Sequence, residues 1–187
     1  MPDDRSRGSD LCTQCGLCCT GALHNAAVLD PDEVAEATEL GLPVCGDSAK
    51  PLFALPCPKL VGARCSIYRD RPRVCGRYRC QVLQDLEAGD TSFDQATMKV
   101  ATARKLVEAA RSVMPPGMTL PQVRALTVQP PPAEIDAMTP DERECVMRLR
   151  LAATALTLYI DRHFRNSRDG QMLELNPIDG TIEMEAG

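Results

Sequence analysis

A chain of 187 residues with a net charge of −5 reads as one domain whose charge argues against nucleic-acid binding through phosphate neutralisation. Its aromatic residues are three Phe, three Tyr and no Trp, so Leu, Val, Ala and Met have to fill the core. Its ten cysteines exceed what packing needs and narrow the chemistry to a metal or iron–sulfur site or a disulfide framework.

Residues 1–10, MPDDRSRGSD, are polar and read as a flexible tail, with no apolar stretch behind them to serve as a secretory signal. Next comes the run Cys12-x-x-Cys15-x-x-Cys18-Cys19. Asp30-Pro31-Asp32-Glu33 then supplies an N-cap, a proline at the first helical position and acids against the helix dipole. Val34, Ala37 and Leu40 form the buried face of that short helix, and Gly41 ends it. The stretch 42–64, with Pro43, Pro51, Pro56 and Pro58, is expected to be irregular. Within and beyond it fall Cys57, Cys65, Cys75 and Cys80, the last three separated by an arginine-rich sequence.

Pro72 starts a short helix carrying Cys75, and a second helix over Gln81–Ala88 ends at Gly89. Ser92-x-x-Gln95 is a capping box for a helix to about Val113, with Val100, Ala103, Val107 and Ala110 on one face. Pro121 opens one or two further turns before the Pro130-Pro131-Pro132 linker. Thr139-Pro140-Asp141-Glu142 starts a helix to about Arg162, whose apolar face is Val146, Leu149, Ala153, Leu156 and Ile160. Leu173–Leu175 and Thr181–Met184 flank Asn176–Gly180 as a terminal hairpin. The predicted fold is therefore mainly α, with an irregular, loop-rich cysteine module and a short C-terminal β-hairpin. Its parts are a tail over 1–10, a metal or iron–sulfur module over 11–80 and a helical companion over 81–187.

Leu151–Ile160, the longest apolar run, is too short to cross a bilayer. The chain is accordingly expected in the cytoplasm and off the membrane, where reducing conditions favour metal ligation over disulfides. A Cys-x-x-Cys turn brings two sulfurs to one side, where they can bite one metal. Cys12, Cys15 and Cys18 have the spacing of the three-ligand run of a ferredoxin, and Cys57-Pro58 suits a fourth, distant ligand of a 4Fe–4S cubane. Zinc uses the same thiolates, and spacing alone does not choose between them. Consecutive side chains diverge, so Cys18 and Cys19 do not readily serve one ion. With Cys65, Cys75 and Cys80 there are ligands for two four-coordinate sites, or for one site plus spare thiols.

Arg64, Arg69, Arg71, Arg73, Arg77 and Arg79 interleave the later cysteines. They offset thiolate charge, form surface ion pairs, or bind an anionic ligand. Phe53, Tyr68 and Tyr78 are placed to wall a site off from water. Cys145 reads as a small buried apolar residue and Cys45 as a loop residue of open role. His24 reads as a surface residue with thiolate replacement as its alternative, and His163 as a helix cap.

LCTQCGLCC together with CPKL and CSIYRDRPRVCGRYRC resembles the YkgJ-like cysteine-cluster family, the zinc- or iron-chelating CxxCxxCC domain, over roughly residues 11–80. The resemblance implies metal binding by Cys12, Cys15, Cys18, Cys19, Cys57, Cys65, Cys75 and Cys80, and extends to Arg71-Pro72 and Tyr78. A relative with this cysteine pattern, the bacterial flagellin lysine N-methylase, implies methyl transfer with an iron–sulfur cluster in some members. The leading expectation is thus a metalloprotein holding zinc, iron or an iron–sulfur cluster that its N-terminal half needs in order to fold. The alternatives are a cluster-dependent, methyltransferase-like modifying enzyme and a metal storage or delivery protein.

Overall fold

The computed structural model describes residues 4–130, 132–165 and 172–173. Helix α1 (Asp4–Cys15) leads through a turn to strand β1 (Ala26–Val28), and a 3-10 turn at Pro31–Glu33 runs into α2 (Val34–Glu39). Strands β2 (Val44–Asp47) and β3 (Lys50–Ala54) form a hairpin, and β4 (Leu60–Val61) and β5 (Arg64–Cys65) form a smaller one. Five helices follow: α3 (Arg73–Arg77), α4 (Gln81–Ala88), α5 (Phe93–Arg111), α6 (Leu120–Ala125) and α7 (Pro140–His163). Strand β6 (Met172–Leu173) completes an antiparallel sheet of order β2-β3-β1-β6.

The helical boundaries obey the expected capping chemistry. Ser92 Oγ accepts from the Gln95 N–H while the Gln95 side chain accepts from the Ser92 N–H at 3.0 Å, and Thr139 and Glu142 repeat this at α7. Gly89 ends α4 at φ +81°, a conformation open to glycine without steric cost. Val100, Ala103, Val107 and Ala110 of α5 are buried, as are Leu149, Ala153, Leu156 and Ile160 of α7. The two helices pack together through these faces, where the alanines permit close approach. Each fully buried Leu or Ile contributes about 1.5–3 kcal/mol, so this pair anchors the helical half.

Two apolar cores result. One joins α1, α4, α5, α6 and α7 around residues such as Leu17, Val82, Val107 and Leu156; the other joins the sheet, α2 and α3 around Leu29, Leu42, Phe53 and Val74. Cys18 and Tyr78 pack against both. The seam between the cores is where the cysteines gather.

Several expectations change. Residues 1–10 read as a tail, but α1 begins at Asp4, because Leu11 is buried in the helical core and Gly8 lies close against Leu83 of α4. The stretch 42–64 is not irregular: Leu52 and Phe53 are buried strand residues, and Asp47 Oδ1 accepts from the Ala49 and Lys50 N–H groups at 2.9 and 2.8 Å to build the β2–β3 turn. Pro51 is the second residue of β3, and its carbonyl accepts from the Leu29 N–H at 2.9 Å. Of the terminal hairpin, Leu173 lies in β6, paired with β1, and Leu175 and residues 176–184 lie outside the described residues. Among the described residues, no helix is long and apolar enough to cross a membrane.

Candidate metal centre

A cavity of about 760 Å³ opens along the seam, and Cys12, Cys15, Cys18, Cys19, Cys57, Cys65, Cys75 and Cys80 all line it. Two sequence blocks far apart in the chain thus deliver their thiols to one space. Cys45 and Cys145 do not line it. Cys145 is exposed rather than buried, because burial along α7 begins only at Leu149. Cys45 lies in β2, paired with Leu52 of β3.

Local structure explains each delivery. Helix α1 carries Cys12 and Cys15 one turn apart and stops at Cys15. Gly16 follows at φ +68°, where an added Cβ would stand 3.0 Å from the Ala63 carbonyl oxygen, so glycine is required for the turn that sends Cys18 and Cys19 inward. Cys57 is tied to that turn by its N–H, which donates to the Cys19 carbonyl at 2.8 Å. Cys65 sits on β5 opposite Leu60, Cys75 rides on α3, and Cys80 is the N-cap residue of α4. None of the ten cysteines is in a disulfide.

The walls are chiefly apolar. Phe53, Tyr68 and Tyr78 all line the cavity, as expected for rings that exclude water, together with Leu55 and Ile67. Burial pushes the thiols of Cys15, Cys19 and Cys75 up to about 12, and that of Cys18 well above its ordinary value. Their neighbouring cysteines add to the shift, because several thiolates packed together repel one another. Buried thiols of this kind are costly as anions on their own, and a cation among them removes that cost. The donor set therefore fits a thiophilic metal. As placed, no three Cys, His, Asp or Glu side chains among the described residues form a group able to hold an ion.

The arginines divide between two tasks. Arg71 and Arg79 line the cavity, and their positive charge favours the Cys12 thiolate. Arg71 lies over the Tyr68 ring at 3.6 Å and donates to the Tyr68 carbonyl at 3.0 Å. Arg73 and Arg77 instead turn to acids at the start of α2: Arg73 pairs with Asp30, Asp32 and Glu33, and Arg77 with Asp30. These pairs run between α3, which carries Cys75, and the turn that opens α2.

His24 corrects the surface reading. It is 1% exposed and does not line the cavity. Its Nε2 is 3.0 Å from the Tyr78 hydroxyl, and the two rings meet edge-on at 5.1 Å. Burial, with Arg165 and Arg124 nearby, holds its pKa down to about 3, so the ring is neutral and braces a cavity wall from behind. Its place next to Ala22, Leu23 and Ala26, all buried, was the available sequence signal for burial. His163 packs its ring against Tyr159 at 4.5 Å at the end of α7.

Residues 11–102 match the model of a family described as "CxxCxxCC: Putative zinc- or iron-chelating domain". No curated protein and no solved structure matches the chain.

Proposed function

Residues 11–102 belong to the CxxCxxCC family, and from that premise we propose that this chain is a cytoplasmic metal-binding protein whose N-terminal half folds around thiolate-held zinc, iron or an iron–sulfur cluster. The observation that carries the reading is the convergence of the eight cysteines of the two blocks on one cavity, with Cys45 and Cys145 left out. The proposed ligands are Cys12, Cys15, Cys18, Cys19, Cys57, Cys65, Cys75 and Cys80. The bound metal supplies the positive charge that lets buried thiols ionise, and both zinc and iron bind such donors.

The protein's own residues complete the arrangement. Arg71 and Arg79 offset the excess negative charge of the thiolates at the cavity edge. Phe53, Tyr68 and Tyr78 keep water away and so protect the ligands from exchange and oxidation. Residues 11–80 act as the metal module, and the helices beyond residue 81 brace it. Because the eight thiols line the space between the two cores, metal binding there becomes folding free energy.

The test is anaerobic purification followed by elemental and sulfide analysis, then unfolding with and without a chelator. The expected result is stoichiometric metal and a lower thermal midpoint with loss of helicity after chelation, reproduced by Cys15→Ala. A metal-free protein that keeps full helicity and the same midpoint would refute the proposal.

A further inference from the structure

Helix α7 packs into the protein by one face only. Its buried residues Leu149, Ala153, Leu156 and Ile160 belong to the helical core. The opposite face carries Glu144, Arg148, Leu151, Ala155, Leu158 and Arg162, and every one of them is exposed. Their spacings alternate between four and three, which on an α-helix draws the straight seam of a two-helix contact. Leu151 and Leu158 are 72% and 64% exposed, and Met147 beside them is 53% exposed. These three are half of the six large hydrophobic residues that stand exposed among the described residues. Single exposed apolar side chains are ordinary, whereas three along one strip of one helix mark a contact surface.

The order of residues along the strip says what covers it. Turned end for end about Ala153, the strip maps onto itself: Glu144 meets Arg162, Arg148 meets Leu158 and Leu151 meets Ala155. Two identical antiparallel helices related by a two-fold axis make these same meetings, each of them twice. Opposite charges then face each other at both ends of the seam. The contact of Glu144 with its own Arg148, at 3.8 Å and on the surface, competes little with this. Arg148 lays its aliphatic stem along Leu158 of the second copy. Leu151 faces Ala155, whose small side chain admits a close approach of the helices. A parallel pairing would instead set Glu144 on Glu144 and Arg162 on Arg162, which like-charge repulsion opposes.

We propose that this chain forms a two-fold symmetric dimer through α7, the exposed seam of one copy lying antiparallel on the same seam of the other. The core face of α7 keeps its packing on α5. None of the six seam residues lines the cavity, so each copy brings a complete one to the dimer. Dimerisation does not depend on what the cavity holds.

The test is sedimentation velocity on the full chain, purified anaerobically with its thiols reduced so that the exposed Cys145 forms no disulfide. Wild type is expected to sediment at twice the mass of the chain, and Leu151→Glu at the monomer mass with unchanged helicity. Glu144→Arg and Arg162→Glu each set like charges together at both ends, and each alone is expected to dimerise roughly tenfold more weakly. Mixed in equal amounts, the two variants regain both opposite-charge meetings. The mixture is therefore expected to recover wild-type dimerisation as a heterodimer. A monomeric wild type, a Leu151→Glu dimer as tight as wild type, or a mixture no tighter than its separate components overturns the proposal. If Leu151→Glu loses helicity, the charge-reversal mixture decides, since both of its substitutions fall at exposed positions.

Discussion

His24 shows how a single buried side chain makes the fold sensitive to acid. Its ordinary pKa of 6.5 is held down to about 3 by burial and then by Arg165 and Arg124, while the Tyr78 hydroxyl faces its Nε2. Between those two values the unfolded chain takes up a proton that the folded chain refuses. The stabilisation is therefore full above about pH 6.5 and is lost as pH falls towards 3, by at most about 1.4 kcal/mol per pH unit. Urea unfolding of wild type and His24→Gln at matched metal content is the check. The variant should lose less stability than wild type between neutral and acidic pH, because thiolate protonation acts equally on both. Parallel curves would mean that His24 is already charged or already exposed in the native state. His24 was misjudged from sequence because a histidine is usually exposed, and the contact that buries it comes from Tyr78, distant in the chain.

At the level of elements, the helices were largely legible because local chemistry writes their limits. Ser92, Thr139 and Gly89 mark ends that the structure reproduces within a residue or two. The hairpin of β2 and β3 was not legible, since four prolines across 42–64 suggest loop and the pairing of Leu52 with Cys45 is a contact that no local pattern reveals. The two cysteine blocks stand out in the sequence, whereas their meeting at one cavity does not, because Cys57, Cys65, Cys75 and Cys80 reach the first block only through tertiary packing. The joint between halves is equally non-local. Arg165, just after α7, donates from Nε and Nη2 to the Leu23 carbonyl at 3.1 and 2.7 Å, and its Nη1 pairs with Asp161 at 2.8 Å. Arg165→Ala strands a carbonyl next to the cysteine turn and should cost about 1.5–3 kcal/mol in a denaturant titration, with metal stoichiometry unchanged. An unaltered midpoint would show that this joint contributes nothing.

Across the whole molecule, two apolar cores face each other over a space lined by sulfur, and they differ in what sustains them. The α5–α7 pair buries its own apolar faces and needs no ligand to do so. The sheet core is small and sits on strands of two to five residues, too little for independent stability. Hydrogen exchange after metal removal should therefore lose protection first in β1, β3 and the segment around Cys57, with α5 and α7 retaining theirs. Uniform loss throughout would show a single cooperative unit with no such hierarchy. One further consequence comes from the rings along the cavity. The chain has no Trp and three Tyr, and two of these, Tyr68 and Tyr78, border the thiols. Ultraviolet emission from the native protein thus originates mostly beside the sulfur atoms, so filling or emptying the site can be watched in an unlabelled sample as a change in tyrosine brightness.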